Sequence, residues 1–252
     1  MTRLAYDITG DGDPVTVYLH GVLMDRALFD PFVTAPGTHI RLDLPGHGQS
    51  PPMSPAARLE DHTDAVADTL ASLDVCDALL VGHSWGGMVT VRLAHRHPRL
   101  VRAAVLCNTP WQRTTGLSRV GFHAQRALLA LGLPKATYGR VAARSLVGAD
   151  HRASHPDVVD DVSRRVAAMD RRQLRRTLRS VILQSGDAEG LLRDLTIPWI
   201  AVAGADDYVI AGQARQRLSE LGPLEVVSGG HTSPLEQPQR LQSVIERVAH
   251  DM

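Results

Sequence analysis

The chain has 252 residues, 44% of them hydrophobic and 21% charged, and its 27 basic and 27 acidic side chains leave no formal net charge. That length suits one α/β domain with a large core or two smaller domains, the composition is too apolar for intrinsic disorder, and the basic excess of a nucleic-acid binder is missing. Two cysteines, Cys76 and Cys107, are too few for a disulfide framework or a zinc cluster, and with neither a run of about 18 apolar residues nor an apolar leader after Met1, a cytoplasmic protein without membrane contact is expected.

Leu4 to Thr9 alternates and reads as a strand, followed by the turn Gly10-Asp11-Gly12-Asp13-Pro14. Val15 to Leu19 is a β-branched run ending in the loop His20-Gly21, and His39 to Leu44 is a third strand, stopped by Pro45-Gly46-His47-Gly48. Glu60 to Leu73 places Ala65, Val66, Leu70 and Leu73 at helical spacing. Ala78 to Val81 is continuously apolar, as a strand buried on both faces must be. A helix from Met88 to His95 and a strand from Val101 to Cys107 follow. The alternation resumes with a strand at Ile197 to Val202, a helix around Ala211 to Leu221, a strand at Leu224 to Val227 and a last helix from Gln239 to Ala249. Strand–helix alternation of this kind predicts a mostly parallel sheet with helices on both faces.

Between Pro110 and Thr196 the alternation stops. Three helical stretches are predicted there, about Leu117 to Leu131, Ala136 to Leu146 and Val158 to Leu183. The last carries an apolar stripe of Val162, Val166, Met169, Leu174, Leu178 and Val181. The expected division is a core domain of residues 1–108 and 197–252 with a helical cap, 109–196, inserted in it.

The strongest chemical signal is Gly82-His83-Ser84-Trp85-Gly86, a G-x-S-x-G placed between a buried strand and a helix. That context is what a nucleophile elbow requires: a serine on a strained turn, with small residues two positions to either side so that the backbone can close up. The helix that follows brings its positive end under the site. A serine hydroxyl is a weak nucleophile and needs a base, which in turn needs an orienting acid. In the chain order Ser, acid, His, the base is His231 in Gly229-Gly230-His231-Thr232, and the acid lies in Gly204-Ala205-Asp206-Asp207, where either aspartate could serve. Both loops leave carboxyl ends of strands, the edge where open α/β sheets bind ligands. His83 is expected to point away from the nucleophile if Ser84 is at the tip of the elbow. An oxyanion hole needs two backbone N–H donors; Trp85, next to the serine, and Val22, after the turn at Gly21, meet that need.

Together with Leu19-His20-Gly21, the loop Asp43 to Ser50, and Gly229 to Pro238, these motifs resemble those of the α/β-hydrolase superfamily over nearly the whole chain. The resemblance implies an α/β-hydrolase fold of about seven strands, one fewer than usual at the start, with a helical cap over the site. It also implies Asp207, the third residue after Gly204, as the acid, a structural role for Asp43 to Ser50, and no metal or organic cofactor. A serine in place of an aspartate nucleophile is unlike the haloalkane dehalogenases and epoxide hydrolases. The expected activity is hydrolysis of a small carboxylic ester or lactone through an acyl-enzyme. Carbon–carbon bond hydrolysis or a lyase reaction on a small anionic substrate, and a low-turnover binding protein, are the alternatives. Leu23 and Trp111 are the expected substrate contacts. Residues 109–196 hold 15 basic and 8 acidic side chains, a net of +7 against −7 for the remainder. Pairing of the cap arginines with the acidic body is expected, with steering of an anionic substrate as the alternative.

Overall fold

The computed structural model describes residues 3–251. Met1, Thr2 and Met252, which the sequence reading assigns to the core domain, lie outside the described residues. The strands are β1 (Tyr6–Thr9), β2 (Val15–Leu19), β3 (Thr38–Leu42), β4 (Ala78–His83), β5 (Val101–Cys107), β6 (Trp199–Gly204) and β7 (Leu224–Val227). They form one sheet in the order β1-β3-β2-β4-β5-β6-β7. β1 runs antiparallel to β3, and the other pairings are parallel.

The helices of the first half are α1 (Leu59–Ala71) and α2 (Trp85–Arg96), and a 3₁₀ turn spans Arg26–Phe32. Every residue of β4 is buried, which explains its unbroken apolar run. Alternate residues serve opposite faces: Leu79 and Val81 join the cluster of Tyr18, Phe29 and Phe32, whereas Leu80 joins Val66 and Leu70 of α1 and Val89 and Leu93 of α2.

Between β5 and β6 the chain is helical: α3 (Gly116–Ala130), α4 (Lys135–Leu146), α5 (Ala149–Ser154), α6 (Asp157–Ala168), α7 (Arg171–Thr177), a π-helical turn (Leu178–Leu183) and α8 (Glu189–Arg193). The single helix predicted from Val158 to Leu183 is therefore corrected to three pieces. Met169 is extended at φ −64°, ψ 148°, and the Asp170 side chain accepts from the Gln173 N–H at 2.8 Å, capping a new helix. The chain closes with α9 (Gln213–Leu221), α10 (Ser233–Glu236) and α11 (Pro238–His250); Leu241, Val244 and Ile245 of α11 cover the Tyr18 face of the sheet.

The register matters most for the site. Leu19 lies opposite Gly82, His83 opposite Cys107, Cys107 opposite Val202, and Gly204 opposite Val227. The carboxyl ends of five parallel strands are thus level, and the loops after them rise from one rim. Among the described residues, no helix is long and apolar enough to cross a membrane.

Candidate active site

Ser84 stands between β4 and α2 at φ 50°, ψ −109°, the sharp turn expected of the motif. Its N–H donates to the Cys107 carbonyl at 2.8 Å, and the Gly86 N–H donates to the His20 carbonyl at 3.1 Å. The backbones are so close that a Cβ on Gly86 would lie 1.9 Å from the Leu19 carbonyl oxygen, and one on Gly82 would lie 2.6 Å from Gly87 Cα. Gly21 is held to hydrogen by contact as well, since a Cβ there would meet His83 Nδ1 at 2.6 Å.

Ser84 Oγ is 2.9 Å from His231 Nε2, and His231 Nδ1 is 2.9 and 3.1 Å from the two oxygens of Asp207. Of the two aspartates, Asp207 is 1% exposed and reaches His231, whereas Asp206 is on the surface. Burial by itself would raise the Asp207 pKa. The His231 imidazole beside it and the donors Asn108 and Val209 outweigh it, so the carboxyl is held below its ordinary range and stays ionised. An ionised Asp207 keeps the proton of His231 on Nδ1 and leaves Nε2 free to accept from the Ser84 hydroxyl.

Three supporting residues escaped the sequence reading. Asn108, with φ 47° at the end of β5, donates from Nδ2 to Asp207 Oδ2 at 2.8 Å and to the Gly230 carbonyl at 3.1 Å. A positive φ at a strand end is a position that favours Asn, which is the signal the sequence offered. Glu236 is buried and accepts from the N–H groups of Gly148 and Gly230 at 2.8 and 2.9 Å and from the Thr232 hydroxyl at 2.7 Å, fastening the His231 loop to the helical insertion. His83 was expected to point away; it lines the same cavity as Ser84, and its Nε2–H donates to the His231 carbonyl at 2.8 Å. The cause is the turn itself, which places His83 beneath Gly21.

His20 acts on the loop after β2. Its Nδ1–H donates to the Gly21 carbonyl at 2.7 Å, and its Nε2 accepts from the Leu44 N–H at 2.9 Å, so both ring nitrogens are committed. The Gly21 carbonyl and the Val22 N–H belong to one trans peptide and point in opposite directions. Holding the carbonyl therefore aims the Val22 N–H the other way. Val22 lines the cavity. Trp85, the first residue of α2, has its indole fully buried between the rings of His20, His47 and His62, with centroids 6.0, 5.0 and 5.3 Å away. Burial pushes these three imidazoles down to about 4, 3 and 4, so they are neutral.

Above the serine lies a cavity of about 590 Å³, within the range of small-ligand sites. Leu23 and Trp111, the expected contacts, both line it, as do Leu178, Val181 and Ile182 of the π-helical turn. Among the described residues no cluster of three or more His, Cys, Asp or Glu is placed to hold a metal ion.

The comparisons agree with this fold. A RutD chain of Yersinia enterocolitica, provisionally named a carbamate hydrolase, is 29% identical over 253 residues, covering 95% of this chain and 90% of that one. Among solved structures, a thermophilic esterase from Thermogutta terrifontis superposes with a TM-score of 0.88 at 21% identity, over 98% of this chain and 93% of that one. The enol-lactonase from Burkholderia xenovorans gives 0.86 at 21% identity, over 97% and 95%. The profile of the α/β hydrolase family matches residues 16–242, and the chain belongs to that family of enzymes.

Proposed function

We propose that this hydrolase cleaves a small carboxylic ester or lactone, with Ser84 as nucleophile, His231 as general base and then acid, and Asp207 as the residue that orients and charges the base. The observation that carries the reading is the unbroken hydrogen-bond chain from Asp207 through His231 to Ser84 Oγ, opening on a cavity at the start of α2. Ser84 Oγ attacks the carbonyl carbon as its proton passes to His231 Nε2. The carbonyl oxygen becomes an oxyanion facing the N–H groups of Val22 and Trp85, the proposed oxyanion hole, with the N-terminus of α2 favouring the charge. Collapse expels the alkoxide, which takes the proton from His231. Water then gives a proton to the same nitrogen, attacks the acyl carbon and returns the serine. Residues 109–196 act as the cap that walls this site, and Leu23 and Trp111 contact the substrate. The relatives' names, esterase, enol-lactonase and carbamate hydrolase, support a small carbonyl substrate.

Ser84→Ala is the test. Hydrolysis of p-nitrophenyl acetate should fall by a factor on the order of 10⁴ or more in kcat, while the circular dichroism spectrum and Tm stay those of the parent. Retained turnover would assign the reaction to another group.

A further inference from the structure

Most of the cap's cations have partners, and the partners show what they do. Arg171 donates to the carbonyls of Leu129 and Leu133 at the end of α3, Lys135 to that of Met169 after α6, and Arg119 to that of Leu183 at the end of the π-helical turn. Arg152 reaches the carbonyls of Arg144 and Val147 at the end of α4. Helix C-termini leave carbonyls unpaired and carry partial negative charge, so cations placed there both satisfy and stabilise them. Arg164 and Arg165 pair with Asp161, and Arg193 pairs with Glu189. These groups hold the cap together.

Arg113 differs. It stands in the loop between β5 and α3, is exposed to solvent, and lines the cavity that contains Ser84 and His231. Of the 15 basic side chains in the cap, it is the one that lines this cavity among the described residues. No Asp or Glu of the described residues lines the cavity, and none pairs with Arg113. Neutral polar groups follow it along the same wall at Thr114, Thr115 and Ser118. The rest of the lining is mainly apolar, with Leu23, Met88, Trp111 and Ile182 among its members. A guanidinium with no internal carboxylate, on the rim of an apolar chamber, is a fork-shaped receptor for a carboxylate.

We infer that the substrate carries a carboxylate remote from the scissile carbonyl and that Arg113 receives it, making the substrate class the half-esters or lactones of dicarboxylic acids. This rests on the reading of Ser84 as the nucleophile. The apolar wall takes the carbon chain, Ser84 takes one end, and Arg113 fixes the other.

The test compares ethyl half-esters of succinic, glutaric and adipic acid with the corresponding ester amides, which replace CO₂⁻ by the neutral CONH₂. At low ionic strength the parent enzyme should favour the half-ester by about tenfold in kcat/KM for at least one chain length, falling with added salt. Arg113→Ala should bring that ratio close to one, and Arg113→Lys should keep part of it. A misfolded variant would lose both substrates alike, so the ratio reads the charge contact alone. A ratio near one in the parent at every length, or a preference that survives Arg113→Ala, overturns the proposal. If neither kind of ester is hydrolysed, the ester-hydrolase reading fails separately. The same half-esters titrated calorimetrically into the parent and Arg113→Ala then decide: binding lost in the variant supports the site, and equal or absent binding overturns it.

Discussion

Asn108 connects the proposed acid to the loop of the proposed base, through Asp207 Oδ2 and the Gly230 carbonyl. Its Oδ1 also accepts from the Ser233 N–H at 3.3 Å. Asn108→Ala removes one of two donors to a buried carboxylate oxygen and leaves the Gly230 carbonyl without the donor it has from Asn108, at a cost of about 1–3 kcal/mol. The Asp207 pKa should rise toward its ordinary value, and kcat for p-nitrophenyl acetate should fall by about tenfold with a lower Tm. Kinetics and a Tm matching the parent would show that Asp207 is held without it. This residue also marks what the sequence could tell. The proposed triad of Ser84, His231 and Asp207 stands out in the sequence because each residue follows glycine at a strand end, a local pattern with a local cause. The resemblance favoured Asp207 over Asp206, and its burial and contact with His231 support that reading. Asn108 was not legible, because its partners Asp207 and Gly230 lie 99 and 122 residues away along the chain, and the tie of Glu236 to Gly148 spans 88 residues, although its other partners, Gly230 and Thr232, are local. His83, expected to point away from the nucleophile, donates to the His231 carbonyl and borders the cavity, a role the sequence did not mark.

The strands were readable from short runs rich in apolar and β-branched residues, and β2, β5 and β7 fall on the predicted residues, even though β5 carries the exposed Arg102 and β7 is a partly exposed edge strand. The register that levels their carboxyl ends was implied by parallel topology and is what turns separate motifs into one site. The helical insertion was harder to read. Its apolar stripe steps by four, three, five, four and three residues from Val162 to Val181; the step of five, from Met169 to Leu174, is where the helix breaks. Asp170 at that point is a strong N-cap residue, so the break was written locally and outweighed by the stripe. The π-helical turn had no such local mark. It places Leu178, Val181 and Ile182 in the cavity wall, and an unusual helix at a ligand-lining position is a recurrent association.

For the molecule as a whole, the opposite charges of cap and body suggested broad electrostatic attraction. The contacts correct this. Arg165 pairs with Asp25 of the body and Arg179 reaches the Pro55 carbonyl of the body, but Arg217 of the body pairs with Glu189 of the insertion, and Arg119, Arg126, Arg152 and Arg171 bind carbonyls of the cap itself. Carbonyls at helix ends need donors wherever they are. A second property belongs to the whole fold. His20, His47, His62 and His83 are buried and neutral, and burial lowers them from the usual 6.5 to about 4, 3, 4 and 3. Unfolded, each binds a proton near pH 6.5; folded, each resists until pH 4 or below. Their neutral burial therefore costs nothing above pH 6.5 and destabilises progressively as pH falls through that window, by roughly 1–2 kcal/mol per histidine at pH 5. Tm should drop between pH 7 and pH 5, and His62→Phe should make the drop shallower; a flat Tm across that range would contradict neutral burial. The central claim, that Ser84 is the activated nucleophile, is tested most directly by a fluorophosphonate probe read by mass spectrometry. The account predicts one adduct per chain, on Ser84, with labelling strongly slowed by His231→Ala. An adduct on another residue, or an unlabelled chain that still hydrolyses ester, would contradict it.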